Sequence, residues 1–302
     1  MKILVTGSNG QLGSDLVPLL VKEGYDAAGV DITGFGASAL DISDREKTLS
    51  AINLLRPEVI INCAAYTAVD RAEKEPDAAL AVNRDGPANL ADAAGEVNAL
   101  LIHVSTDFVF DGSRNVPYDE SRTADPLGVY GMSKLLGERE VVKRLPGHII
   151  VRTSWLYGTH GHNFVKTILK HAGEREVLRV VYDQVGPPTN SFDLAGAIAV
   201  MVKRYASGFA PFGIYHYSNE GVASWYDFAV RIIEGAGSLG AKLRCTRVEP
   251  ILTEEYPTPA KRPAYSVLDK KKVKETFGVS IPHWQDSLQN MLKELYGGGK
   301  IA

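Results

Sequence analysis

The first apolar run of the chain, Lys2-Ile3-Leu4-Val5-Thr6, ends at the first of three glycines spaced three apart: Gly7, Gly10 and Gly13. A strand that stops at glycine and continues as a helix must make a tight turn, and the backbone N–H groups of that turn point outward. Gly7 permits the turn. Gly10 lets a pyrophosphate approach the backbone with no side chain between, and Gly13 allows the helix to lie close on the sheet. The GxxGxxG spacing differs from the GxGxxG form of many dinucleotide-binding turns.

The same strand-to-helix rhythm continues along the chain. Strand-like runs at 25–31, 58–65, 99–106 and 148–155 alternate with helical patterns at 15–24, 45–57, 75–97 and 130–145. Pro18 is expected in the first turn of its helix, where a missing N–H costs least. Gly86-Pro87 marks a break point in the helix at 75–97. Residues 32–40 hold clustered glycines and read as a loop. Beyond 155 the rhythm loosens. Residues 163–172 and 224–236 read as helices, 177–183 and 213–218 as strands, and the proline-rich stretch 250–265 as irregular. Near-continuous aliphatic strands such as KILV, EVII and LLIHV suit a parallel sheet covered on both faces.

The expected fold is therefore α/β, a Rossmann-like doubly wound parallel sheet with a smaller mixed α/β lobe. The dinucleotide-binding domain is expected at 1–150, rejoined by about 172–190 and 216–242. Residues 151–171, 191–215 and 243–302 are assigned to the substrate-binding lobe.

Composition narrows the class. The chain has 302 residues, 45% of them apolar and 23% charged, which sets disordered and fibrous classes aside. A net charge of -3 drives no general attraction to nucleic acid. No apolar stretch reaches the roughly 18 residues of a membrane span. Cys63 and Cys245 form neither a metal-ligand pattern nor a disulfide framework. A cytoplasmic protein without a catalytic metal is the expectation, with neither nucleic acid nor membrane as partner.

Asp31 ends the second strand, where a carboxylate can accept both ribose hydroxyls of an adenosine and disfavours a 2'-phosphate. Asp41 and Ile42 follow the loop and are placed to flank an adenine; local capping of the next helix is the alternative. Ser105 and Thr106 end the fourth strand, and Tyr130 and Lys134 stand four apart on a helix, on one face. A phenol near pKa ~10 exchanges protons poorly at neutral pH. A neighbouring ammonium is expected to lower that value, so that Tyr130 gives a proton to an alkoxide forming under hydride attack. Thr106 or Ser105 would add a hydrogen bond to the same oxygen.

TGSNGQLG (6–13), NCAAYTAVD (62–70), STDFVFDG (105–112) and YGMSK (130–134) resemble the extended short-chain dehydrogenase/reductase family. YTAVDRAE (66–73), RTSWLYG (152–158), DQVGPPT (183–189) and RPAYSVLD (262–269) carry a closer resemblance, over nearly the whole chain, to its subfamily of dTDP-4-dehydrorhamnose reductases.

The resemblance implies an NADPH- or NADH-dependent 4-ketoreductase acting on a dTDP-linked 4-keto-6-deoxyhexose. It implies Thr106, Tyr130 and Lys134 as catalytic residues, with Asp107 ordering the site. For the cofactor it implies Gly7, Asn9, Gly10, Gln11, Leu12 and Gly13. Asp31, Asp41, Ile42, Ala64, Ala65, Tyr66 and Thr67 resemble its further cofactor contacts, beside Tyr130 and Lys134. Trp155, Asn163, Gln184 and Arg262 resemble the sugar-nucleotide side. Two departures stand out. Phe108 occupies a usual tyrosine position. Phe192 replaces a glutamate that some relatives use in a magnesium-bridged dimer, so a monomer or a homodimer not bridged at 192 is expected. Another nucleotide-sugar enzyme of the family, an epimerase or 4-ketoreductase, remains an alternative. So does a regulatory subunit like that of methionine adenosyltransferase.

Overall fold

A computed structural model describes residues 1–33, 39–209 and 211–296. The loop expected at 32–40 therefore lies partly outside the described residues. Five strands run in chain order through the first half: β1 Lys2–Thr6, β2 Asp26–Val30, β3 Val59–Asn62, β4 Leu100–Thr106 and β5 His148–Thr153. Further on come β6 Val177–Val181, β7 Gly213–His216 and β8 Arg247–Ile251. Six strands form one sheet in the order β7-β5-β4-β3-β1-β2. Every pairing in it is parallel. β3 and β5 are buried at every residue, as strands covered on both faces must be.

Helices α1 Gln11–Lys22, α2 Arg45–Leu55, α3 Gly86–Val97 and α4 Val129–Arg144 alternate with β1–β5. Later helices are α5 Phe164–Glu174, α6 Ser191–Ala206, α7 Trp225–Ser238, α8 Lys271–Phe277 and α9 Trp284–Tyr296. One side of the sheet packs Ile3, Val5 and Ile61 on Leu12, Leu16 and Leu20 of α1 and on Leu194, Ile198 and Met201 of α6. The other side packs Leu4, Ile60 and Leu101 on Ile52, Leu90 and Val141 of α2, α3 and α4. A separate core joins Val165 and Leu169 of α5, Leu178 and Val180 of β6, Phe228 and Ile232 of α7, and Leu288 and Leu292 of α9.

These cores redraw the expected domain boundaries. Segment 191–215 belongs to the sheet body, not to the smaller lobe: α6 lies on α1, and β7 extends the sheet beside β5. Segments 172–190 and 216–242 carry β6 and α7 into the second core instead of rejoining the first. The reason is side-chain patterning. The apolar stripe of α6 fits the face of α1, whereas that of α7 fits α5 and α9.

Two local expectations also change. Helix α1 begins at Gln11, so Pro18 stands in its interior rather than its first turn. The break in 75–97 falls just before Gly86-Pro87, as a π-helical turn over Ala81–Asp85. There Gly86 lets the chain press on Ile42: a Cβ would sit 2.6 Å from its Cδ1. Among the described residues no helix is long and apolar enough to cross a membrane.

Candidate active site

The C-terminal ends of β1, β3, β4 and β5 open into a cleft of about 1270 Å³ between the sheet body and the second core. In open parallel sheets this is where ligands bind. Its floor is the glycine turn. Gly7 has φ 69°, and a Cβ on it would lie 2.5 Å from the Ala64 backbone N. A Cβ on Gly13 would fall on the Gly7 carbonyl oxygen. Gly10 caps α1 with no side-chain hydrogen bond, so the N–H groups of the first turn face the cleft. A cradle of bare N–H groups at a helix N-terminus fits a dinucleotide pyrophosphate. Gly13→Ala is expected to cost at least about 1–3 kcal/mol of stability through overpacking, seen as a lower urea midpoint.

Asp31 stands at the cleft edge, where its Oδ2 accepts from Asn9 N at 3.0 Å and its Oδ1 from Thr33 N at 3.5 Å. Asn9 donates through Nδ2 to Thr33 O at 2.7 Å. Asp41 accepts from Ser43 N and Oγ at 2.9 and 2.7 Å, while Asp44, not Asp41, caps α2. Ile42 is buried beneath the cleft wall. Ala64, Ala65, Tyr66 and Thr67 line the cleft after β3, with Leu12 and Gln11 opposite. Asn83, in the π-helical turn, grips the Tyr66 backbone from both sides, accepting from its N and donating to its O. The Tyr66 phenol turns outward to Glu75 at 2.7 Å.

At the end of β4, successive residues face opposite sides. Ser105 and Thr106 both line the cleft, but the Ser105 hydroxyl donates to buried Glu138 at 2.5 Å. Thr106 Oγ1 donates to Asp107 Oδ1 at 3.1 Å and accepts from Phe108 N at 3.2 Å. Tyr130, in the first turn of α4, stands edge-on to Phe108 at 5.6 Å and lines the same cleft as Thr106. Gly131 permits this approach, because a Cβ there would strike the Phe108 carbonyl.

The electrostatics differ from the expectation. Burial pushes Tyr130 up to about 12, against the smaller opposing effect of the Thr106 hydroxyl. Lys134 does not lower it. The Lys134 Nζ turns beneath the site and donates to Val104 O at 2.7 Å. Its own burial pulls it down to about 8, opposed by the charge of Glu138. Asp107 is buried too, and that raises its carboxyl to about 6 although Thr106 donates to its Oδ1; its Oδ2 is buried with no partner. A phenol held this high keeps its proton throughout the neutral range, which suits an acid rather than a base.

On the far wall, Trp155 follows β5 with a left-handed backbone, φ 46°. That geometry costs a bulky residue roughly 1–3 kcal/mol. Its indole is stacked on Trp225 at 3.5 Å, 5° from parallel. Trp225 drew no attention in the sequence, since a tryptophan beginning a helix has no signature separating a cleft wall from a core. Asn163 caps α5 and also donates through Nδ2 to Gln11 Oε1 at 3.0 Å, joining the second core to the glycine turn. Gln184 donates to Thr253 at 3.0 Å and accepts from Trp225 at 3.2 Å. Arg262 forms a two-pronged pair with Asp70 at 2.8 and 3.1 Å. Asn163, Gln184 and Arg262 all reach the cleft, but each is already held by protein partners. Among the described residues no group of three or more His, Cys, Asp or Glu side chains is placed to hold a metal ion.

A family model described as the RmlD substrate binding domain matches residues 1–296. The chain is 44% identical over 292 residues to a dTDP-4-dehydrorhamnose reductase of Aggregatibacter actinomycetemcomitans, covering 96% of this chain and 98% of that one. A solved dTDP-4-dehydrorhamnose reductase of Clostridium acetobutylicum superimposes with a TM-score of 0.90 at 40% identity, covering 98% and 99% of the two chains. One from Bacillus anthracis, solved in complex with NADP, gives 0.88 at 39% identity, covering 97% and 100%.

Proposed function

The chain belongs to the RmlD substrate binding domain family, and on that footing we propose that it is a dTDP-4-dehydrorhamnose reductase, converting dTDP-4-dehydro-β-L-rhamnose to dTDP-L-rhamnose. The observation that carries the reading is that Thr106, Tyr130 and Lys134 line one cleft with the glycine cradle. NADH or NADPH, when bound, supplies the hydride for C4. The cradle Gly7–Gly13 and Asp31 hold the dinucleotide, with the run Ala64–Thr67 on its opposite side. Thr106 donates a hydrogen bond to the C4 oxygen and draws off its developing charge. Tyr130 passes its proton to that oxygen. Lys134 contributes a buried positive charge below the site and holds a ribose hydroxyl.

The sheet body takes the dinucleotide and the second core closes over the sugar nucleotide. Phe192, exposed at the start of α6, offers no metal ligand, so a dimer of this chain does not rely on magnesium at that position. A cytoplasmic setting fits the supply of both reactants.

The test is a direct assay. dTDP-4-dehydro-β-L-rhamnose is supplied with NADH or NADPH, and nicotinamide absorbance is followed. Consumption of either dinucleotide with formation of dTDP-L-rhamnose is the expected result; no consumption with either ends the reading. Asp31→Ser is expected to raise kcat/KM for NADPH relative to NADH by roughly ten-fold. That is the worth of about 1.4 kcal/mol of charge repulsion at a 2'-phosphate. An unchanged ratio would remove Asp31 from the ribose site.

A further inference from the structure

Trp155 rests on a stack whose supports run through the second core. The two indoles lie 3.5 Å apart between ring centroids and 5° from parallel, a face-to-face stack that aromatic pairs do not favour on their own and that must be held by its surroundings. Trp225 begins α7, whose N-cap Ser224 accepts from Asp227 N at 3.0 Å, so its backbone is fixed. Its ring is fixed as well. Nε1 donates to Gln184 Oε1 at 3.2 Å, and Phe164 lies against it at 4.6 Å. Gln184 in turn donates to Thr253 Oγ1 at 3.0 Å, and Thr253 donates to Asp183 at 2.7 Å. Gly186 also lies close to the Trp155 indole: a Cβ on it would sit 2.7 Å from Trp155 Cε2. Trp155 thus holds a left-handed backbone because its indole is fixed by the Trp225 stack and by the close backbone of Gly186.

The clamp has a direction. Thr153 pairs in register with Thr106, so Trp155 stands two residues beyond the strand position level with the reaction centre, and both line the same cleft. We propose that Trp225 and Gln184 are positioning residues that hold the Trp155 indole as a rigid wall for the apolar face of the deoxyhexose ring, setting the sugar's depth relative to Thr106 and Tyr130. This rests on the reductase reading above. A slab so fixed limits where a flat apolar ring face can lie without meeting any polar group of the sugar.

Two readouts test it. Stacked indoles couple excitonically, so the wild-type protein should show a circular-dichroism couplet in the far-ultraviolet indole band with no ligand added. Trp225→Leu should abolish the couplet and raise KM for dTDP-4-dehydro-β-L-rhamnose about ten-fold, the size of one aromatic pair, with KM for the dinucleotide unchanged. Trp225→Phe should lose the couplet yet recover most of the sugar KM. Gln184→Met, close in volume and able to fold if Trp225→Leu does not, should weaken the couplet and raise the sugar KM alone. A sugar KM unchanged in Trp225→Leu and Gln184→Met overturns the inference, as do dinucleotide and sugar KM values that rise together. Wild-type protein that turns over no dTDP-4-keto sugar overturns the reductase reading itself, and the two failures are told apart by that control.

Discussion

Tyr130→Phe is expected to lower kcat by about 10³-fold, within the range a lost general acid costs, and to leave the dinucleotide dissociation constant unchanged. The ring stays edge-on to Phe108 and the cleft keeps its shape. Only the hydroxyl facing Thr106 is removed. Stopped-flow hydride transfer with dinucleotide fluorescence titration separates the two quantities, and a near-normal kcat would take the proton-donor role away from Tyr130. The pH dependence gives a second check with a definite sign. Tyr130 at about 12 stays protonated well past neutrality, so its titration does not shape the profile near neutral pH. Lys134 at about 8 does. Its ammonium is present below that value and lost above it, so the rate falls as pH rises through about 8. Lys134→Arg carries a charge that does not titrate in this range and should abolish that limb. Glu138→Gln removes a charge that raises the Lys134 pKa and should move the limb to lower pH.

The largest expected stability effect is at the same glutamate. Glu138→Ala should destabilise the fold by about 3–5 kcal/mol, the cost of leaving a buried charge unpaired. Glu138 and Arg152 have side chains only 2% and 4% exposed and meet through two hydrogen bonds at 2.6 and 2.9 Å. Ser105 adds a third hydrogen bond, so both carboxylate oxygens are used. Without the carboxylate, Arg152 keeps only His216 Nε2 at 3.4 Å and the face of Phe110 at 5.2 Å. His216 gives no charge relief, because burial and Arg152 itself hold it down to about 3 and keep it neutral. Urea unfolding should show the loss as a lower midpoint at unchanged slope. The double replacement Glu138→Leu with Arg152→Met should recover most of the loss, since two apolar side chains of similar volume leave no orphan charge. A single variant as stable as wild type would mean that water reaches the pair.

The pair also bears on the reaction. It lies behind the ends of β4 and β5, and Ser105 is its third member. A sequence can show that neighbours in a strand face opposite ways. It does not show which hydroxyl a distant side chain claims, and here Glu138, 33 residues on, takes that of Ser105.

Much of this protein follows from local chemistry. Glycine at positions 7, 10 and 13 permits a tight turn and close backbone approaches that other residues block, so the turn, the helix after it and the bare N–H cradle were legible from spacing alone. Aliphatic runs buried on both faces dictated a parallel sheet. Tyr130 and Lys134, four apart on a helix, were bound to share a face. What that face meets was decided only in three dimensions. Lys134 bonds the Val104 carbonyl rather than acting on the phenol, and Arg262 pairs with Asp70 across 192 residues of chain. Trp225 reaches Trp155 because α7 belongs to the second core, where the sequence rhythm had placed it with the first. Spacing governs what one segment can do with its own backbone. Partners and pKa values depend on which distant surfaces fit together and exclude water, and that is a property of the packed fold.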